Sequence, residues 1–112
     1  MPTLKGTIGG FSSNATLSRN SDGSWFLGGY IAGFNSEARI SEDSNGNLSL
    51  SGHIGGHNSN ATLTPIDDET WSLSGYIAGF NSNARITLTS SGQWELAGYI
   101  GGYESRATIL AS

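Results

Sequence analysis

The chain has 112 residues, a formal net charge of -4, five basic residues and no cysteine. Its length suits one domain with one hydrophobic core, so we expect a single domain over residues 1–112. Scattered cations provide no positive patch, which argues against nucleic acid and anionic membranes as partners. Without cysteine, disulfides and thiolate metal sites are excluded. No apolar run approaches the roughly 18 residues that span a bilayer, so we expect a soluble chain without an export signal, as a mature secreted protein would also be.

A fixed repeat of 23 residues organises the sequence. Its clearest copy is GYIAGFNSNARI at residues 75–86, and related segments begin at Gly6, Gly29, Gly52 and Gly98. An ungapped period of this kind indicates supersecondary units that bury their apolar faces only against neighbouring units. The 17 glycines disfavour helices, and apolar and polar residues alternate along each copy. Each repeat is therefore predicted to contain two strands joined by a turn.

Taken in chain order, each repeat is predicted to contribute one long strand and one shorter strand. The long strands are predicted at 3–11, 25–34, 48–57, 71–80 and 94–103. The shorter strands are predicted at 15–19, 38–42, 61–65, 84–89 and 107–111. Asparagine and serine at positions such as 81–83 are predicted to form the turn within each repeat. The turns between repeats are predicted at 21–23, 44–46, 67–69 and 90–92.

Ten antiparallel strands linked in sequence by short turns predict an all-β fold, a closed up-and-down barrel in which the last strand pairs with the first. A two-sheet β-sandwich is the alternative, since alternation alone does not show closure.

One strand face carries layers of equivalent residues and is predicted to be the core. The first layer, at one end, is Pro2, Trp25, Leu48, Trp71 and Trp94. The next layers are leucine (Leu4, Leu27, Leu50, Leu73, Leu96), glycine (Gly6, Gly29, Gly52, Gly75, Gly98), isoleucine (Ile8, Ile31, Ile54, Ile77, Ile100) and again glycine, from Gly10 to Gly102. We expect the indole rings to fill volume left by the glycines.

The opposite strand face is predicted to form shallow troughs walled by aromatic rings. In the fourth repeat, Tyr76 is followed two positions later by the small Ala78, and two positions further by Phe80. Aromatic faces beside guanidinium and amide groups can hold a sugar by stacking and hydrogen bonding. The candidate ligand-binding residues are Tyr30, Phe34, Asn35, Arg39, Tyr76, Phe80, Asn81, Asn83 and Arg85.

Two further groups of polar residues invite a metal-site interpretation. His53 and His57 are four residues apart on one predicted strand, an even spacing that would place both imidazoles on one face. They occupy positions that are aromatic in most other repeats, and no third ligand is fixed by the sequence, so no metal site is predicted. The acidic residues 67–69 lack the glycine and the spaced oxygen ligands of a calcium loop, and they are predicted to be a solvated turn.

The sequence contains no recognisable catalytic set. It has no cysteine nucleophile, no G-x-S-x-G elbow, no phosphate-binding loop and no repeated pair of carboxylates. We therefore expect no enzymatic activity and no cofactor.

Residues 74–87, SGYIAGFNSNARIT, resemble hairpins of the avidin and streptavidin family, which share a Gly-x-Tyr pattern followed by Ala or Gly and then Arg. The resemblance covers one hairpin at a time and implies a hairpin of an antiparallel barrel. That family binds biotin inside an eight-stranded barrel through polar and tryptophan residues. No position of this chain matches those residues one by one, so the resemblance implies no biotin site.

These patterns predict a multivalent, lectin-like protein with glycans as partners, because near-equivalent troughs repeat around the barrel and several weak sites together gain avidity. One alternative is a carrier of a small apolar ligand, since a barrel of ten strands has a wider interior that the tryptophans would either fill or line. The other is a structural barrel that self-assembles into a homo-oligomer through its exposed aromatic residues. Glycan binding, a tryptophan fluorescence response to apolar ligands, and dimerisation distinguish the three hypotheses.

Overall fold

Every strand pairs with its two neighbours in the chain, and the last strand pairs with the first. A computed structural model describes residues 2–110. The strands are β1 (Thr3–Ile8), β2 (Phe11–Arg19), β3 (Trp25–Ile31), β4 (Phe34–Glu42), β5 (Leu48–Ile54), β6 (His57–Asp67), β7 (Thr70–Ile77), β8 (Phe80–Leu88), β9 (Trp94–Ile100) and β10 (Tyr103–Leu110). All ten form one closed antiparallel barrel in sequential order.

The β1–β10 pairing closes the barrel, with Gly6 opposite Ala107. This confirms the predicted all-β, closed up-and-down barrel of ten strands and excludes the two-sheet sandwich. The last strand was predicted to reach Ala111, which lies outside the described residues. We name the strand pairs β1–β2, β3–β4, β5–β6, β7–β8 and β9–β10 hairpins 1 to 5. Within residues 2–110 there is no helix of the length and apolarity needed to cross a membrane.

The turn inside each hairpin lies earlier than predicted. The turn consists of two residues, the pairs Gly9–Gly10, Ala32–Gly33, Gly55–Gly56, Ala78–Gly79 and Gly101–Gly102. Both residues have positive φ, for example 57° and 88° in hairpin 4, which is the type I′ geometry that matches the twist of antiparallel strands. The predicted turn at 81–83 was therefore wrong, and Asn81 and Asn83 belong to β8.

The first residues of the five turns close one end of the barrel. Ala78 was expected on the outward face, as was Ala32 at the equivalent position of the second repeat, but both are buried. A Cβ atom added at Gly55 would lie 2.8 Å from the Ala78 Cβ and 3.1 Å from the Ala32 Cβ. The end is therefore already filled by two methyl groups, and the glycines provide the space that these methyl groups occupy.

A ring of serine hydroxyls joins the five turns to one another. One buried serine in the second strand of each hairpin accepts a hydrogen bond from the first turn amide of the next hairpin, as Ser59 Oγ does from Ala78 N at 3.1 Å. The same hydroxyl donates to the backbone carbonyl of His57 at 3.1 Å. The five serines are Ser13, Ser36, Ser59, Ser82 and Ser105, and the last binds Gly9 N at 3.0 Å. This serine ring satisfies amides that an isolated hairpin would leave to solvent.

The predicted inward layers of leucine and isoleucine are buried, whereas the glycine layer has a different role from the one expected. Gly75 is opposite Ala61 of the neighbouring strand. A Cβ atom at Gly75 would collide with the Asn60 carbonyl oxygen and the Ala61 Cα, and would lie 2.8 Å from the Ala61 Cβ. No indole fills this space. The three tryptophans are only half-buried, at the end of the barrel opposite the serine ring.

We predict that Gly75→Ala destabilises the barrel more than Gly92→Ala does. Both glycines have positive φ, at 152° and 88°, so both substitutions add backbone strain. Only the Gly75 methyl meets a neighbouring strand, because nothing lies within 4 Å of a Cβ added at Gly92. We expect the additional loss in the free energy of unfolding to be about 1–3 kcal/mol, measured by urea denaturation. Equal losses for the two variants would contradict this packing.

The serine ring predicts that Ser59→Ala lowers the free energy of unfolding by about 1–3 kcal/mol, because it leaves the buried Ala78 amide without an acceptor. Ser51→Ala is the matched control, since Ser51 is exposed in the strand that precedes β6. Denaturation curves of the two variants would test the difference. A Ser59→Ala variant as stable as Ser51→Ala would show that the ring adds nothing to stability.

Candidate functional site

The second aromatic residue of each hairpin lies on the closed end of the barrel and not on its side. Phe80 is opposite Ile77, and residues opposite each other in an antiparallel pair share a face. Phe80 is therefore on the same strand face as the core residue Ile77. It lies beyond the filled end of the barrel, however, and its side chain is 56% exposed. Its ring covers the next turn, since a Cβ atom at Gly102 would lie 3.5 Å from it. We call the equivalent residues Phe11, Phe34, His57, Phe80 and Tyr103 the aromatic end face.

The residue one position before the inward isoleucine of each hairpin points outward from the side wall; it is Thr7, Tyr30, His53, Tyr76 or Tyr99. Tyr76 is opposite Asn81, and Asn83 is opposite Tyr99 on the other side of β8. The strands that carry the two tyrosines flank β8 and are thus roughly 10 Å apart. Both tyrosines are half-exposed, at 50% and 56%. We use the name trough for the surface between the two tyrosines, call the tyrosines its walls, and call the strand segment with the two asparagine amides its floor.

The same arrangement repeats around the barrel with different residues, and we number each trough by its hairpin. The trough just described is trough 4. The walls are Thr7 and Tyr30 in trough 1, Tyr30 and His53 in trough 2, His53 and Tyr76 in trough 3, and Tyr99 and Thr7 in trough 5. The floors are, in the same order, Ser12 and Asn14, Asn35 and Glu37, Asn58 and Asn60, and Glu104 and Arg106. Trough 5 encloses about 380 Å³. Trough 4 alone has two tyrosine walls.

The two predicted arginines differ in their surroundings. Arg85 follows Asn83 on the outer side of β8, where Ser72 and Ala97 are its cross-strand neighbours. Arg39 has the equivalent place in trough 2, but it forms an ion pair with Asp22. Within residues 2–110 this is the single ion pair found. The Arg85 guanidinium is therefore free to bind a ligand, whereas that of Arg39 already has a carboxylate partner.

Alternate side chains of β8 point to the core and to the solvent. Ser82 is buried, and its hydroxyl makes the serine-ring bonds to Phe80 O and Gly101 N. Asn81, Asn83 and Arg85 alternate with it and are exposed. Their amide and guanidinium groups therefore face water along one line, about 7 Å apart from one to the next.

The two histidines do not share a face. The Gly55–Gly56 turn separates them, so His53 lies in β5 and His57 in β6. His53 is a wall of troughs 2 and 3, and His57 belongs to the aromatic end face. The expectation of two imidazoles on one strand face was wrong, because it depended on a strand that continued through the turn. No group of three metal-ligating side chains occurs in the part of the chain that the structure describes.

The structure thus brings four of the predicted residues together in trough 4, namely Tyr76, Asn81, Asn83 and Arg85. Tyr30, Asn35 and Arg39 share trough 2. The predicted Phe34 and Phe80 lie on the aromatic end face. Sequence reasoning missed the second wall of trough 4, Tyr99, because that contact depends on the pairing between hairpins 4 and 5.

Comparison of the chain with protein-family models, curated proteins and solved structures found no match. What the troughs can bind therefore has to follow from their own chemistry. Trough 4 offers two flat apolar surfaces, two groups that both donate and accept hydrogen bonds, and one permanent positive charge. It contains no pair of a nucleophile and a base.

The hydrogen bonds around Asp22 predict that substitutions of its partners change its pKa measurably. The Ser24 hydroxyl and amide donate to its carboxylate at 2.6 and 3.0 Å, and with the nearby Arg39 they hold its pKa below the usual value. We expect Ser24→Ala to raise the pKa of Asp22 more than Arg39→Ala does, as measured by NMR titration. A larger effect of Arg39→Ala would contradict this order.

Because the pKa of Asp22 is lower in the folded protein than its usual value of 3.8, the ionised carboxylate stabilises the fold fully above that pH. This stabilisation disappears as pH falls through the lower folded-state pKa. The stability difference between the original chain and Ser24→Ala should therefore narrow on acidification through this range.

Proposed function

We propose that the chain is a multivalent carbohydrate-binding protein and that trough 4 is its principal site. Tyr76 and Tyr99 supply ring faces on which the apolar face of a pyranose stacks. Asn81 and Asn83 each offer a donor and an acceptor, which suits the adjacent hydroxyls of a sugar. Arg85 lies at one end of the trough, where it would bind a hydroxyl or an acidic substituent of a neighbouring residue of the glycan.

The observation that carries the proposal is the placement of exposed amides between two half-exposed tyrosines, as the pairings of Tyr76 with Asn81 and of Asn83 with Tyr99 require. Aromatic side chains alone would favour a hydrophobic partner. Amides alone would be typical of the solvated surface of an ordinary strand. The two together match a ligand that has an apolar face and a polar edge, and a sugar ring has both.

The arrangement of the troughs supports multivalency. Neighbouring troughs share a wall residue, as troughs 3 and 4 share Tyr76, so two sites lie close together on a barrel whose extents are 30, 29 and 25 Å. Weak sites of this kind gain affinity when several engage one glycan-bearing surface. The troughs are unequal, however, because trough 1 has one tyrosine wall and trough 5 has Glu104 and Arg106 in its floor. We expect troughs 3 and 4, which have only asparagine amides opposite their walls, to bind neutral sugars best.

A glycan array followed by site-directed variants tests the proposal. Hairpin 1 naturally has threonine where trough 4 has its walls, so Tyr76→Thr and Tyr99→Thr introduce a residue that the repeat already accommodates. We expect each variant to weaken binding of the selected glycan about fivefold or more, because stacking of the sugar on an aromatic ring contributes about 1 kcal/mol. Isothermal titration calorimetry would measure the loss.

Phe80→Thr is the matched control, because it removes an aromatic ring of similar exposure from the end face. Glycan binding should survive this change. If the folded protein binds no glycan, or if both tyrosine variants bind as well as the original chain, the proposal fails. A loss of self-association in Phe80→Thr, without any glycan binding by the original chain, would instead favour the subunit-interface hypothesis.

A further inference from the structure

We propose a second binding site, inside the barrel, for a small neutral apolar molecule. The barrel encloses a cavity of about 120 Å³. All ten strands contribute to its lining, and every lining residue is leucine or isoleucine. The inside of the barrel is separated from the side-wall troughs by the alternation of the strands, so this site is independent of the proposed glycan binding.

One end of the cavity is sealed. The methyl groups of Ala32 and Ala78 fill that end, and the serine ring fixes the turns that carry them. The amides and hydroxyls there hydrogen-bond to one another, and no buried side-chain nitrogen or oxygen within residues 2–110 lacks a partner. The closed end therefore presents only hydrocarbon to the interior.

The opposite end is a mouth of about 360 Å³ that shares Leu17, Ile40 and Ile109 with the cavity lining. Trp25 and Trp94 stand at this mouth together with Pro2 and Leu48. Hairpins 1 and 3 thus have smaller residues where the other three have tryptophan. The opening exists because two of the five equivalent positions lack an indole.

The position of Trp25 at the mouth is stabilised from outside. The Arg19 guanidinium lies 5.1 Å from the centroid of the Trp25 ring, which is a cation–π contact. Arg19 Nε also donates to the Gly23 carbonyl at 3.2 Å, which fixes the guanidinium over the ring. Both contacts hold the indole at the rim, where it borders the opening without blocking it.

The lining determines the class of ligand. A buried water needs two to four polar partners, and a cavity lined by leucine and isoleucine offers none. Apolar cavities of comparable size, about 150 Å³, stay dry and bind benzene or xenon. The ligand we infer is a hydrocarbon of about one ring, with its compact end among the isoleucines and any alkyl chain extending between Trp25 and Trp94 in the mouth.

Titration with an alkylbenzene series, from benzene to n-butylbenzene, tests this site, with phenol as the polar counterpart of benzene. We expect a saturable change in tryptophan emission and a melting temperature that rises with ligand concentration. Phenol should bind at least about tenfold more weakly than benzene, because its hydroxyl finds no partner in the cavity. The absence of any saturable response to the whole series would overturn the proposal and leave the cavity as an empty packing defect.

Two variants locate the site. Leu48→Trp places at the mouth the residue that three other hairpins carry there, and we expect it to slow association and weaken binding at least about fivefold. Ser49→Trp, on the outward face of the same strand, is the matched control and should leave binding unchanged. Leu73→Phe fills part of the cavity and should abolish benzene binding. If Leu73→Phe does not fold, the test of the site depends on Leu48→Trp. Equal ligand affinities of Leu48→Trp and Ser49→Trp would overturn the proposed mouth.

Discussion

The hydrogen bond from each first turn amide to the serine hydroxyl of the preceding hairpin is the contact on which the barrel depends. A two-residue type I′ turn leaves that amide unpaired within its own hairpin, and burial at the barrel end would make the loss costly. Ser59 supplies the acceptor for Ala78, and the same bond recurs until Ser105 reaches Gly9. The ring of serine hydrogen bonds therefore closes between hairpins 5 and 1, where the sheet also closes. With one end sealed in this way, the interior can open only at the tryptophan end.

Much of the fold could be predicted from the repeat period and the alternation, but the exact turn could not. Asparagine-glycine is the strongest signal for a two-residue hairpin, and a sequence such as Ala78–Gly79 carries a weaker one, since alanine at positive φ is strained. Alanine is present there because its methyl group fills the barrel end, a tertiary contact that no local propensity contains. Displacing the turn by three residues moved Phe80 from the end face to a trough wall, and it hid the pairing of Asn83 with Tyr99.

The candidate site shows the same division between local and tertiary information. Once the turn is placed at Ala78–Gly79, counting outward puts Tyr76 opposite Asn81, so one wall of trough 4 follows from the sequence. The second wall depends on the loop between β8 and β9, whose length sets the pairing between hairpins. The ion pair of Arg39 with Asp22 likewise joins β4 to the loop between hairpins 1 and 2, across a separation of 17 residues. No strand pattern distinguishes that arginine from Arg85.

Repetition and variation have separate roles in this barrel. The positions that hold the fold together hardly vary: serine, leucine and isoleucine recur in all five hairpins, and the inward glycine is always paired with alanine across the strand. Other positions vary: the outward troughs, the aromatic end face, the first turn residue, and the rim, where Pro2 and Leu48 replace tryptophan. Because strand alternation directs the trough residues and the core residues to opposite sides of the sheet, a change in a trough does not alter the packing of the core. One scaffold can therefore carry polar sites outside and an apolar site inside without a conflict between them.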